Sequence, residues 1–222
     1  MTKRFKASFI IILFTLWTSL NSVYPGSSAQ TQSSLAEAIK QFEDFVELRM
    51  AQDKVPGLSV AFMKDDFTWA KGFGYSDLEN QVLTKPDSAY RLASITKTLT
   101  AIAVMKLAEE GKIDLDAEVQ TYVPYFPRKK WPVTVRLLLG HLGGISHYQN
   151  YDMEGRIKVH KNTKEALAIF QDFELVAEPG TRYHYSSYGY NLLGAVIEGV
   201  AGESYGDYIR KNIFIPLGMT NS

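Results

Sequence analysis

The stretch Arg91–Leu115, RLASITKTLTAIAVMKLAEEGKIDL, decides how the rest of the chain is read. From Thr96 to Glu110 its apolar residues recur at helical spacing with almost no interrupting charge. Gly111 stands where a left-handed C-cap is preferred, so the stretch predicts a buried helix. Ser94 and Lys97 stand three apart at its start and share a stripe that continues through Ala101, Val104, Met105 and Ala108. The residues alone allow two readings. In one, Ser94 caps the helix and Lys97 snorkels or pairs with a carboxylate; by chance S-x-x-K arises on the order of once in a chain this rich in serine and lysine. In the other, burial on an uncharged stripe lowers the pKa of Lys97, which then takes the Ser94 hydroxyl proton. Backbone N–H groups at the helix N-terminus would favour the developing oxyanion.

Working outward, SSLAEAIKQFEDFVELRM carries Leu35, Ile39, Phe42, Val46 and Met50 at helical spacing. Ser34 and Glu37 are placed as a capping box, and Val55-Pro56-Gly57 stops the helix. Two β-rich runs follow, Leu58–Met63 and Phe67–Phe73, joined by the turn-like Lys64-Asp65-Asp66 and read as a hairpin. Gly72 and Gly74 read as strand-end turns. Beyond Lys112 come short helical patterns at Asp116–Tyr122, Val135–Leu139, Thr163–Phe170, Gly189–Val200 and Ser204–Phe214. Asn162 with Glu165 forms a further capping box, Asp114 and Asp116 read as helix caps, and Pro179-Gly180 turns the chain into TRYHYSS. Either Ser186 or Ser187 suits the N-cap of the helix that follows. Two strands cannot cover several helices, so further strands are expected beyond Ser222.

Composition narrows the function classes. The 222 residues carry 24 basic and 24 acidic side chains, a formal net charge of zero, which offers no basic field for nucleic acid. There is no cysteine, so a thiol nucleophile is excluded and any nucleophile is an oxygen or an amine. The four histidines, His141, His147, His160 and His184, lack the i,i+4 pairing of a zinc helix, and neither a metal nor another cofactor is expected. At the N-terminus, Lys3, Arg4 and Lys6 precede the apolar run Phe9–Trp17 and then Ser27-Ser28-Ala29. Residues 1–29 therefore read as a signal peptide for secretion or export to a periplasm, and residues 30–222 as the domain. No membrane association beyond that segment is expected.

The order of these segments resembles the serine β-lactamase and penicillin-binding superfamily. It is most similar to the class C β-lactamase-related branch, with its esterases, D-amino-acid peptidases and mitochondrial β-lactamase-like serine proteases. The resemblance runs from about Phe42 to Leu217 through GFGYSDLENQ, YRLASITKTLT, VTVRLLLGHLGGISHY and PGTRYHYSSYGYNLLG. It implies an α+β fold, in which a helical subdomain packs with an antiparallel sheet of the β-lactamase/transpeptidase type. It further implies Ser94 as acyl-accepting nucleophile, Lys97 as its proton acceptor and Tyr185 as the tyrosine of the second motif. A phenol beside a cationic lysine ionises more readily, which suits a general acid or base.

Ser187 takes the third position of that motif, where many members have asparagine, and is assigned to substrate binding. A serine lacks the amide's paired donor and acceptor, which favours peptide or ester carbonyls over lactams. The family's third motif, Lys-Thr-Gly or His-x-Gly, does not follow Tyr185. His141-Leu142-Gly143 fits those letters but precedes Tyr185, in a segment the family uses as a structural loop. The chain is therefore expected to be the N-terminal part of such a domain, with the C-terminal strands missing. The expected function is a secreted serine hydrolase acting on a small-molecule or peptide substrate through an acyl-enzyme. The rival is a non-catalytic relative that binds peptidoglycan fragments or a protein partner.

Overall fold

The computed structural model describes residues 28–148 and 162–222, with side chains from residue 34 onward in the first helix. Residues 1–27 of the expected signal segment lie outside the described residues, as does His160. The chain divides into two compact units, one ending at Ser88 and one running from Ala89 to Ser222.

The first unit holds helix α1 (Ser28–Asp53) and a three-stranded antiparallel sheet in the order β1-β2-β3. Ser34 lies inside α1 rather than at its cap, because the helix begins at Ser28 and neither Gly nor Pro interrupts it before Asp53. The helix ends as the sequence predicts: Lys54 turns left-handed at φ 56° ahead of Val55-Pro56. Strands β1 (Gly57–Lys64) and β2 (Phe67–Asp77) pair from Gly57↔Gly74 to Lys64↔Phe67 around the two-residue turn Asp65-Asp66, with Asp65 at φ 52°. Trp69 of β2 stacks on Phe62 of β1 with ring centroids 5.1 Å apart and meets Phe42 of α1 edge-on at 5.9 Å. Lys71 reaches Glu43 of α1 at 2.7 Å.

The short β3 (Val82–Leu83) was not legible in the sequence. It pairs Leu83 with Tyr75 and Val82 with Asp77, after a turn in which the Asp77 carboxylate accepts from the Asn80 backbone and side-chain N–H groups at 3.0 and 2.7 Å. Gly72, expected at a strand end, lies within β2. A Cβ there would come within 2.2 Å of the Thr84 carbonyl oxygen, so only glycine admits the chain that follows β3.

The second unit is helical: α2 (Thr96–Glu109), α3 (Val135–Leu139), α4 (Thr163–Leu167), α5 (Ser187–Ala201) and α6 (Tyr205–Ile209), the last continued by a π-helical turn, Arg210–Phe214. Its core is built around α5, whose Tyr188, Leu192, Leu193, Ala195, Val196 and Ile197 are all at most 1% exposed. Full burial of each large aliphatic side chain contributes about 1.5–3 kcal/mol, so α5 anchors the unit. Against it pack Ala103, Val104 and Leu107 of α2, Val135 and Leu138 of α3, Leu167 of α4, and Phe170, whose ring stacks on Tyr188 at 4.3 Å.

The predicted caps at Asn162 and Gly111 are present: Asn162 accepts from Glu165 N–H at 2.9 Å, and Gly111 adopts φ 69°. The Asp116–Tyr122 pattern yields only a 3₁₀ turn, Val119–Thr121. Asp114 and Asp116 do not cap a helix. Asp114 accepts from the Asp116 N–H at 2.9 Å, and Asp116 forms a forked pair with Arg136 at 2.7 and 2.8 Å.

Candidate active site

Ser94 sits in a 3₁₀ turn, Ala93–Ile95, that leads directly into α2. No side chain caps either element, so the capping role open to Ser94 in the sequence is not the one its hydroxyl takes. That hydroxyl lies 2.7 Å from Tyr185 Oη and accepts from Lys97 Nζ at 3.2 Å. Ala93, immediately before it, is held at φ 45°, a left-handed conformation that costs an L-residue about 1–2 kcal/mol. The sharp turn leaves the Ser94 side chain exposed at the surface of the unit.

Lys97 extends the buried line of α2, Thr100–Val104–Leu107, by one turn towards the surface. It is half-buried rather than enclosed, and Met105 of the predicted stripe is 49% exposed. Spacing gives a residue's direction around a helix but not its depth: of the predicted stripe only Val104 is fully buried, joined in the core by Thr100, Ala103 and Leu107. Lys97 Nζ donates to Ser94 Oγ and, at 3.1 Å, to Ser187 Oγ, and lies 4.9 Å from the centre of the Tyr185 ring and 5.7 Å from that of Tyr190. Among the described residues no carboxylate pairs with it, so the two hydroxyls and the aromatic faces hold its charge.

Tyr185 and Ser187 come from the segment that opens α5. Ser186, 3% exposed, is the N-cap: its Oγ accepts from Gly189 N–H at 2.9 Å and donates to the Ser146 carbonyl at 2.7 Å. With the capping taken by Ser186, Ser187 is free to turn its hydroxyl to Lys97. The Lys97 ammonium first, and the Ser94 hydroxyl second, hold the Tyr185 phenol below its ordinary range. All four residues singled out in the sequence therefore meet in one place.

Two residues of the site were missed. The loop Gly140–Tyr148 lies along the tyrosine segment, through bonds from Gly180 N–H to Leu142 O at 2.9 Å and from His184 N–H to His141 O at 2.8 Å. It brings His141 Nδ1 within 3.1 Å of Ser186 N and His147 Nδ1 within 3.3 Å of Ser187 N, so each imidazole accepts one N–H from the start of α5. The Tyr185 ring stands near both, with centroids 4.6 Å from His141 and 5.4 Å from His147. The sequence signal was present in GHLGGISH, two histidines within a glycine-rich loop, but the partners lie 45 and 40 residues away. Among the described residues no three His, Asp or Glu converge as metal ligands.

A hydroxyl gripped by a lysine and a tyrosine at the mouth of a helix, in a chain of mixed helices and antiparallel strands, defines a β-lactamase-like serine hydrolase class. The chain belongs to the beta-lactamase family, whose model matches residues 42–222. It is 31% identical to the human "Serine beta-lactamase-like protein LACTB, mitochondrial", over 83% of this chain and 46% of that protein. It thus spans less than half the length of that relative. Among solved structures it resembles the octameric penicillin-binding protein homologue from Pyrococcus abyssi at TM-score 0.73 and 39% identity, over 82% of this chain and 43% of that one. It also resembles EstCE1, a hydrolase with promiscuous acyltransferase activity, at TM-score 0.70 and 26% identity, over 85% and 52% of the two chains.

Proposed function

We propose that this chain carries the nucleophilic half of a serine hydrolase that works through an acyl-enzyme on Ser94. The observation that carries the reading is the position of Ser94 Oγ, within hydrogen-bond reach of both Tyr185 Oη and Lys97 Nζ. Tyr185, its phenolate favoured by Lys97, takes the Ser94 proton as the oxygen attacks an amide, ester or lactam carbonyl. The proton then passes to the leaving group, the carbonyl–leaving-group bond breaks, and the acyl group remains on Ser94. Water, deprotonated by the same phenolate, releases it. The Ser94 backbone N–H, at the head of α2, would serve as one donor to the oxyanion. Ser187 acts here on Lys97, orienting the ammonium, and adds a hydroxyl near the substrate carbonyl. The acyl transfer named for EstCE1 supports the same chemistry. Export is part of this reading, resting on Lys3, Arg4, Lys6 and the apolar run behind them.

The test is covalent labelling of Ser94 by a fluorophosphonate probe, read by peptide mass spectrometry on the chain and on a form extended beyond Ser222. An adduct on Ser94 that disappears in Lys97→Ala but survives in Lys106→Ala, a lysine paired with Glu110 at 3.4 Å, is the expected outcome. No adduct in either form would sink the enzyme reading and leave the binding-protein alternative.

A further inference from the structure

One residue outside the reacting trio holds the peptide on both sides of Tyr185. The His141 carbonyl accepts the N–H of His184 at 2.8 Å, and its Nδ1 accepts the N–H of Ser186 at 3.1 Å. Its ring lies 4.6 Å from the Tyr185 ring at 37° and 5.0 Å from that of Tyr190. His141 is itself fixed: its N–H donates to Leu138 O at 3.1 Å, and its backbone stands at φ 57° just past the end of α3. The left-handed turn is what aims the imidazole back along the tyrosine segment.

We infer that His141 is a positioning residue for the Tyr185 phenol and that it holds Tyr185 only as the neutral imidazole. The inference rests on Tyr185 being the proton-transfer group. A ring nitrogen that accepts from an N–H must carry a lone pair, so the proton of neutral His141 sits on Nε2. Protonating Nδ1 sets a donor against the Ser186 donor and breaks that hold. The groups facing the ring are Lys97 from α2, His147 from the same loop, Tyr183 and Tyr185 from the tyrosine segment, and Tyr190 from α5. Burial first, then Lys97 and His147, lower the His141 pKa, so the neutral form persists below the ordinary histidine range. The hold is intact at neutral pH and is lost as the pH falls through that lowered value.

The experiment compares His141→Asn with His141→Gly. Both tolerate the left-handed backbone, but only Asn offers an acceptor to Ser186 N–H. The rate of fluorophosphonate labelling of Ser94 is followed against pH, alone and combined with Tyr185→Phe. His141→Gly should label about tenfold more slowly than the parent, and His141→Asn should recover to within about threefold. The step of the acid-side fall that tracks His141 titration should vanish in His141→Asn, which does not titrate at that position, while the rise through the Tyr185 phenol's own titration remains. In the Tyr185→Phe background, His141→Gly should have no further effect. Equal rates for His141→Gly and the parent, equal slowing in both variants, or a tenfold loss that persists in Tyr185→Phe would each overturn the inference. Tyr185→Phe labelling at the parent rate would overturn the Tyr185 reading and this inference together, whereas a slow Tyr185→Phe beside a fast His141→Gly would remove only His141. Should either variant fail to fold, NMR of the parent still decides. A Ser186 amide resonance that ignores His141 titration overturns the assignment, and one that follows it supports it.

Discussion

Replacing Tyr185 by phenylalanine removes one oxygen and leaves the ring in place. That oxygen is 2.7 Å from Ser94 Oγ, closer than Lys97 Nζ at 3.2 Å, so the phenol is the better-placed base. Losing a positioned general base costs roughly 10²–10⁴ in rate. Lys97 still donates to the Ser94 oxygen and water can reach this exposed hydroxyl to take its proton, which sets the expectation at the lower end: about 10² in the second-order labelling rate, or about 2.7 kcal/mol of barrier. Stability should change far less, because the lost hydrogen bond is exposed and contributes at most about 1 kcal/mol, a few degrees in Tm.

The pH dependence sharpens the test. Because Lys97 and Ser94 lower the phenol's pKa, labelling should rise with pH to a midpoint below the ordinary value of about 10, and Tyr185→Phe should lose that rise. The matching stability contribution is full above the unfolded value and fades as the pH falls through the folded one. Stopped-flow labelling and thermal melts by circular dichroism give both numbers. A Tyr185→Phe variant that labels within threefold of the parent across the pH range would refute the reasoning.

Two further predictions concern the framework. A Cβ on Gly199 of α5 would meet the Tyr122 carbonyl oxygen at 2.1 Å, so Gly199→Ala should destabilise the unit by about 3 kcal/mol or more; a urea midpoint equal to the parent's would contradict that packing. At Ala93, glycine relieves a left-handed strain of about 1–2 kcal/mol against an unfolded-state cost of about 0.4–1 kcal/mol, so Ala93→Gly should raise the melting temperature slightly. A lower melting temperature would show that the turn is not strained.

What the sequence revealed follows from range. Ser94, Lys97, Tyr185 and Ser187 were legible because each pair sits two or three residues apart on or beside a helix, and because their segments occur in a family order. The hairpin and the caps at Asn162 and Gly111 were legible for the same local reason. His141 and His147 were not, since their acceptor roles exist only once their loop has docked on residues 180–187. The strand β3 was hidden because two residues carry no periodicity; their pairing depends on Gly72 letting Thr84 approach, with Thr84 N–H bonded to Gly74 O at 3.0 Å. The depth of Lys97 escaped because a helical wheel has no radial coordinate.

The 2.7 Å contact between Ser94 and Tyr185 joins residues 91 apart in the chain. Closing a loop of that length costs about 4 kcal/mol of chain entropy before any contact offsets it. Under the proposed mechanism the nucleophile is therefore switched on by assembly: until α2 and α5 have met, Ser94 is an ordinary alcohol. A nascent or heat-loosened chain should be chemically silent, and a fluorophosphonate tag on Ser94 would count native molecules in a mixed population, one by one.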